Sequence, residues 1–311
     1  MEFNHTPVLL NECIGAMNVK PDGIYVDCTL GGGGHSLEIA KRLKEGKLFA
    51  FDKDAEAVGY SKKRLSELKN KIVITQDDFK NALKVLDDAG VDKIDGYLID
   101  LGISSYQIDN RKGGFSYMAP ESKLDMRFDQ SQKLSATEVV NDYSEEELLR
   151  ILRDYGEEKF ARQIVAGIIA QRKKTKIETC GQLVDTIENS VPAKYRFSGG
   201  HTAKQTFLSL RIEVNGELTG LSEFIEKITL RLKTGGIGEI ITFHSLEDRL
   251  VKQAFKKLTI GCTCPPKLPV CVCGNKPIVR LMYNKPITAS EEEKEQNKRS
   301  ISAKLRIAVR N

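Results

Sequence analysis

The strongest constraint on the fold lies between Gly23 and Leu101, where short apolar runs alternate with amphipathic stretches in the pattern of repeated βα units. Residues 23–27, 47–52, 72–75 and 94–100 read as strands. The apolar character of the fourth, 94–100, fits burial on both faces, and residues 36–43, 55–68 and 81–89 read as the crossover helices of a parallel sheet.

The alternation breaks at about residue 107. Loop signals at 111–114 are followed by helical segments at 144–153, 157–172 and 180–191, the first opened by Ser144 with Glu147 at capping-box spacing. The sheet pattern resumes at 238–243, after an amphipathic helix at 221–232 and a Gly235-Gly236 turn. A helix at 246–258, a cysteine-bearing loop, a strand at 279–283, an acidic-to-basic segment at 290–298 and a strand at 302–309 complete the chain. The last two strands are expected to form an antiparallel hairpin at the sheet edge. The simplest account is one α/β domain carrying an insertion, with its first part at 1–106, an inserted helical domain at 107–205 and its second part at 206–311.

At 311 residues, 40% hydrophobic and without a long polar tract, the chain reads as an ordinary globular protein, which excludes the disordered and fibrous classes. Its net charge of +5 is compatible with a polyanionic partner without establishing one. Residues 1–5 form neither a basic nor an apolar signal region, and no stretch approaches a membrane span. Of seven cysteines, Cys13, Cys28 and Cys180 stand in apolar or helical contexts and read as reduced thiols. A cytoplasmic protein with no membrane partner is expected; the oligomeric state is left open.

The first strand runs into Cys28-Thr29-Leu30 and four glycines, Gly31 to Gly34, followed by His35 and Ser36 at the start of a helix. Glycines let the backbone approach a ligand, and a helix N-terminus offers N–H donors. Asp52, ending the second strand, is placed to take the hydroxyls of an adenosine ribose. That layout serves a nicotinamide dinucleotide as well as S-adenosylmethionine. Asp27, at the loop's edge, would repel a pyrophosphate but suits the ammonium of the methionine portion, and Ser36 stands where a dinucleotide fingerprint has its third glycine. The methyl donor is therefore favoured over the dinucleotide, and both over a turn without a ligand. Asp77, Asp78 and Phe79 follow the third strand, where an acidic group can meet an adenine amino group and Phe79 can cover the ring or simply pack in the core. Asp100 ends the fourth strand at the carboxyl edge where open α/β folds bind ligands, the position of an active-site carboxylate or of a capping aspartate.

The segments His5 to Glu12, Asp27 to Ser36, Asp100 to Ser105, Gly113 to Tyr117, Leu124 to Arg127, Thr206 to Asn215 and Phe243 to Arg249 together resemble the RsmH family, also called MraW. The resemblance runs from His5 to the end of the sequence. It implies a class I S-adenosylmethionine-dependent methyltransferase (Rossmann-like) fold with an inserted helical domain for substrate recognition. It also implies methylation of the exocyclic N4 of a cytidine in the decoding region of 16S ribosomal RNA, within the small ribosomal subunit. Carried onto this chain, the family's donor site falls on Gly33, Gly34, His35, Asp52, Phe79, Asp100 and Gln107. One departure is Thr202, where family members usually have proline after the histidine.

Cytosine N4 is a poor nucleophile because its lone pair is delocalised into the ring, so a carboxylate such as Asp100 accepting an N4 hydrogen would help to localise it. Phe115, Tyr117 and Phe243 are candidates to stack on the base, with ordinary packing as the alternative for each. His244 could act as a base, hold a phosphate or serve as a hydrogen-bonded structural residue. Arg127, Lys204, Arg211 and Arg249 suit phosphate contacts, against plain surface solvation. No metal is expected in the donor site. Cys262-Thr-Cys264 and Cys271-Val-Cys273 leave a structural zinc site open, although such sites more often place two residues between paired ligands. Two other classes remain beside the methyltransferase: a nicotinamide-dependent oxidoreductase and a non-catalytic RNA-binding or assembly module.

Overall fold

The structure is a computed structural model that describes residues 7–103, 113–196, 201–265, 270 and 272–311. It divides into two compact units, Met1–Gly102 with Gly220–Asn311, and Ile103–Thr219.

The first unit is built on a seven-stranded sheet of β1 (Ile24–Asp27), β2 (Lys47–Asp52), β3 (Ile72–Gln76), β4 (Ile94–Asp100), β5 (Leu232–Thr242), β6 (Val279–Leu281) and β7 (Lys304–Arg310). Their spatial order is β3-β2-β1-β4-β5-β7-β6. The first five run parallel, and β7 lies antiparallel between β5 and β6. This is the expected α/β class with Rossmann-like winding, and the expected antiparallel pairing of the last two strands is present.

The period of two along each strand sorts side chains between two cores. Tyr25, Leu48, Ala50, Leu98, Ile241, Leu305 and Ile307 join one cluster, which includes Ile14 of helix α1 (Leu10–Met17) and Ile39 of α2 (Gly34–Arg42). Val26, Phe49, Phe51, Tyr97, Ile99, Ile240 and Ala308 join the other, with Leu86 of α4 (Ala82–Asp88) and residues of the helices Leu221–Leu230 and Ser245–Thr259. Burial on both faces is why the central strand β4 reads as a nearly unbroken apolar run, whereas β3 at the sheet edge leaves Val73 exposed. Helix α3 (Ala55–Arg64) is opened by Asp54, whose side chain accepts from the N–H groups of Glu56 and Ala57.

Two local expectations are corrected. Gly235 and Gly236 do not end a turn before the strand; they lie inside β5, where the register against β4 shifts between the pairs Ile94–Leu232 and Gly96–Ile237. Three extra residues of β5 fall between these two pairs, and among them Gly235 takes φ +77°, a conformation open to glycine. The second expected helix of the insertion begins at Ala161 and not at 157, because Glu157 adopts φ +48°.

The second unit is helical: Ala136–Asp142, Glu145–Asp154, Ala161–Arg172, Cys180–Ser190 and Lys204–Asn215 surround a core that includes Val140, Ile151, Ile168, Leu183 and Leu210. Full capping boxes open three of them, from Ser135 to Glu138, Ser144 to Glu147 and Thr179 to Gln182. The expected return at residue 206 is moved to Gly220, since Phe207, Leu210 and Val214 bury their side chains in this helical core.

The close pairing of β4 and β5 can be tested at Gly238. It faces Tyr97 across the strands, and an added Cβ would come within 2.5 Å of the ring. Tyr97 is fully buried and its hydroxyl is held at 2.7 Å from Thr229 Oγ1, so the ring has nowhere to go. Gly238→Ala is expected to lower stability by about 1–3 kcal/mol, the usual cost of overpacking, as read from chemical denaturation.

Candidate active site

Parallel strands bring the carboxylates that end β1, β2 and β4 to one edge of the sheet. Register then sets their depth. Asp27 pairs with Ala50 of β2 and with Leu98 of β4, so Asp52 and Asp100 each stand two residues beyond it, or about 6–7 Å along the strand. Asp27 is recessed between them and only 1% exposed.

Both oxygens of Asp27 are engaged by the glycine turn: Ser36 Oγ donates to one at 2.6 Å and the Thr29 N–H to the other at 3.1 Å. Burial pushes its pKa up, against the opposing pull of these two bonds. The expected contact of Asp27 with a ligand ammonium is therefore revised: the side chain braces the turn from behind. The same geometry explains why position 36 holds serine and not a third fingerprint glycine.

The turn itself is held by its carbonyls. Ser61 Oγ donates to the Gly31 carbonyl at 2.8 Å and Arg64 Nη1 to that of Gly32 at 2.6 Å, both from α3. The N–H groups in the first turn of α2 have no acceptor within their own helix and remain the groups a ligand can use. Gly33 takes φ +72°, and a Cβ on Gly34 would come within 2.1 Å of the Pro7 ring. His35 is buried, with Nε2 at 3.2 Å from the Val8 carbonyl, and burial lowers its pKa to about 4. Its neutral ring ties the segment before α1 to α2, so only its backbone faces the donor region.

Asp52 receives the Gly31 N–H at 2.7 Å and the Asp54 N–H at 2.9 Å, and keeps some solvent exposure. Dense protein surroundings nonetheless raise its pKa to about 6. Phe79 packs its edge against Phe224 with centroids 5.1 Å apart and is partly buried, leaving part of the ring exposed. Asp78 pairs with Lys53 at 2.8 Å, while Asp77 accepts from Asn81 Nδ2 at 2.8 Å.

Asp100 differs from the other two. Its N–H donates to Thr29 Oγ1 at 2.6 Å, but buried Oδ1 has no hydrogen-bond partner among the described residues. Burial first, then the charges of Asp27 and Glu247, raise its pKa well above the usual carboxylate range. A buried acceptor left open costs stability unless a ligand satisfies it. Gln107 lies outside the described residues.

Phe243 follows β5 and its ring is 3.2 Å from where a Cβ on Gly102 would stand, so it lies beside the exit of β4. His244 proves to be a helix cap. Its Nδ1 accepts from the Glu247 N–H at 3.5 Å and its Nε2 approaches Glu247 Oε1 at 3.0 Å, while Glu247 Oε2 accepts from the Phe243 N–H at 2.9 Å. Arg249 is exposed on the same helix.

In the helical unit, Phe115 stacks on Phe128 at 5.6 Å, and Tyr117 stacks on His201 at 4.4 Å with its edge against Phe207. Arg127 reaches Asp125 through Nε and Nη2 and the Gln132 carbonyl through Nη1. Arg211 forms a two-bond pair with Glu217 at 2.8 Å. These guanidinium groups hold loops together, which limits the phosphate contacts expected of them; Lys204 is exposed. Thr202, the departure from the family pattern, donates its hydroxyl to the Arg196 carbonyl. Thr29, Ser61 and Arg64 were not anticipated as site residues. Thr29 lies in the turn motif and could have been suspected, whereas the two α3 residues carry no local signal.

The raised pKa of Asp52 gives a pH test. Its protonation favours the folded state, so its contribution to stability is full below about pH 4, the unfolded value, and is lost as the pH rises through about 6. Binding of a diol requires the opposite, charged form. S-adenosylmethionine affinity measured by calorimetry is expected to weaken about tenfold per unit as the pH falls below 6. Asp52→Asn should abolish that dependence, bind the donor weakly throughout, and melt higher than the wild type at pH 8 without ligand.

The sequence profile of the MraW methylase family matches residues 2–311. The chain is 51% identical over 308 residues to the ribosomal RNA small subunit methyltransferase H of Clostridium botulinum strain Kyoto, covering 99% of each chain. It is 50% identical over 309 residues to the protein of the same name from Clostridioides difficile, again covering 99% of each. A solved rRNA methylase from Streptococcus thermophilus aligns over 99% of both chains with 14% identity and a TM-score of 0.40, too remote to bear on the argument. No helix among the described residues is long and apolar enough to cross a membrane. The match over the whole chain, together with the strand-end carboxylates and glycine turn it encloses, establishes that this chain belongs to the MraW methylase family.

Proposed function

We propose that this chain transfers a methyl group from S-adenosylmethionine to the exocyclic N4 of a cytidine in the decoding region of 16S ribosomal RNA. The observation that carries the reading is the open, buried Oδ1 of Asp100 beside two further carboxylates at the sheet edge. A cationic sulfonium donor suits such an edge, whereas the pyrophosphate of a nicotinamide dinucleotide is repelled by it. The donor supplies an electrophilic methyl on sulfur. On the protein side, Asp52 takes the ribose hydroxyls, the first turn of α2 presents N–H groups, and the exposed part of Phe79 covers the adenine.

Asp100 accepts a hydrogen of the N4 amine and so localises the nitrogen lone pair for attack. A positive ligand nearby lowers the pKa of Asp100 and keeps it in the accepting form. Phe243, whose ring lies against Gly102 just after the strand that Asp100 ends, stacks on the base. We assign RNA recognition to the helical unit, with Phe115 and Tyr117 as contacts, the assembled small subunit as substrate, and the cytoplasm as the place of action.

Purified protein incubated with labelled S-adenosylmethionine and small subunits lacking the modification is expected to yield N4-methylcytidine by nucleoside mass spectrometry. Asp100→Asn, which keeps the shape and removes the carboxylate, should lower turnover about 10²-fold or more and weaken donor binding by a smaller factor. Absence of transfer to subunits and to naked RNA, with no donor bound, would return the chain to the dinucleotide reading. An Asp100→Ala protein that binds RNA and still supports full function would favour the assembly-module reading.

A further inference from the structure

Residues 260–278 connect the helix Ser245–Thr259 to β6, and the described residues among them form neither helix nor strand. A connection this long without its own secondary structure is uncommon in a compact domain and needs something to fix it. Its base is closed: the Ile278 N–H donates to the Leu258 carbonyl at 2.8 Å, and Gly261 lies so close to Pro277 that a Cβ there would come within 2.9 Å of the ring. Beyond the base, the described residues bury no apolar side chain. Val270 and Val272 are 70% and 79% exposed.

What the loop gathers is sulfur. The Sγ atoms of Cys262, Cys264 and Cys273 all lie within 4.8 Å of one another, and those of Cys262 and Cys273 are 3.7 Å apart. Tetrahedral zinc with Zn–S bonds of about 2.3 Å requires sulfurs about 3.8 Å apart, so the shorter separation already matches one edge of such a site. The one-residue spacing between Cys262 and Cys264 is no obstacle, because the irregular backbone turns both sulfurs to the same side. Backbone N–H groups also point at the cluster. Thr263 N donates to Cys273 Sγ and Val272 N to Cys264 Sγ, each at 3.4 Å, which is the kind of donor that stabilises metal-bound thiolates. Asn275 Nδ2 donates to Thr263 Oγ1 at 3.1 Å and steadies the turn that carries the first pair. Cys271 lies outside the described residues.

We propose that Cys262, Cys264 and Cys273 form a structural zinc site that pins the loop between the helix Ser245–Thr259 and edge strand β6. The three thiolates supply three of the four ligands of a soft, tetrahedral divalent ion, for which oxygen-seeking calcium and magnesium are poor competitors. The site is separate from the donor site, since none of its ligands belongs to the turn or to the strand-end carboxylates.

The test uses the full chain expressed in zinc-supplemented medium and purified under reducing conditions without chelator. Elemental analysis is expected to find about one zinc per chain. Cys264→Ser and Cys273→Ser should hold less than about a tenth of that and show faster protease cleavage within 260–278, while binding S-adenosylmethionine as the wild type does. Should either variant fold poorly, wild-type protein stripped of metal and titrated with cobalt(II) reads the site directly. Thiolate-to-cobalt charge transfer and the strong visible bands of a tetrahedral ion are expected, displaced by zinc. Metal-free protein as purified, with no such bands on titration, overturns the proposal, as does a disulfide among these cysteines with no metal uptake after reduction.

Discussion

The site depends on how one buried acid is satisfied. Asp27 ends a strand that stops two residues short of its neighbours, and at 1% exposure its carboxylate would be costly without partners. Ser36 and the Thr29 N–H supply them. The two bonds join the end of β1 to both sides of the glycine turn, so the turn, the start of α2 and the sheet edge are fixed as one piece. Thr29 extends this fixed piece to β4 through the Asp100 N–H, and Asp52 extends it to β2 through the Gly31 N–H.

This arrangement carries a cost in the ligand-free protein. The carboxyl groups of Asp27, Asp52 and Asp100 all titrate above their ordinary range, chiefly through burial. A fold selected for stability alone would replace some of them with neutral groups. Their retention at one edge makes sense where the bound molecule brings positive charge, since the ligand then stabilises the charged forms that the empty site penalises.

Much of this was legible in the sequence because the central strands are buried on both faces. The bounds expected for β2 and β4 coincide with those observed, and Asp52 and Asp100 fall at their ends. The helices that the sequence reading did not include differ in what concealed them. Helix α1 begins after Leu9 at φ +54°, with no capping side chain. The helix Lys204–Asn215 buries Thr206, Ser209 and Asn215 along with its apolar residues, which blurs its polar and apolar faces. Ala136–Asp142 had a readable signal in Ser135 and Glu138, and was missed for its brevity. The bracing role of Asp27 was not accessible, because depth depends on register between strands; a structural role for His244 was among the readings, but the cap itself depends on the angle at which the helix leaves the sheet. Arg127 and Arg211 show the same limit: a cation in a motif does not announce the carboxylate that the fold will set beside it.

The position of β7 has a consequence for how the chain is made. It lies between β5 and β6 in space but follows both in sequence, and Leu305, Ile307, Ala308 and Val309 complete cores on both faces of the sheet. During synthesis, the edge of β5 therefore stays open until this last strand emerges, with its backbone groups and apolar neighbours unmatched. The N–H of Leu9, at the threshold of α1, also waits for Glu293, which accepts it at 2.8 Å. A growing chain can wind β1 to β4 early, but the nascent protein remains a template for mispairing until nearly all of this sequence has left the ribosome.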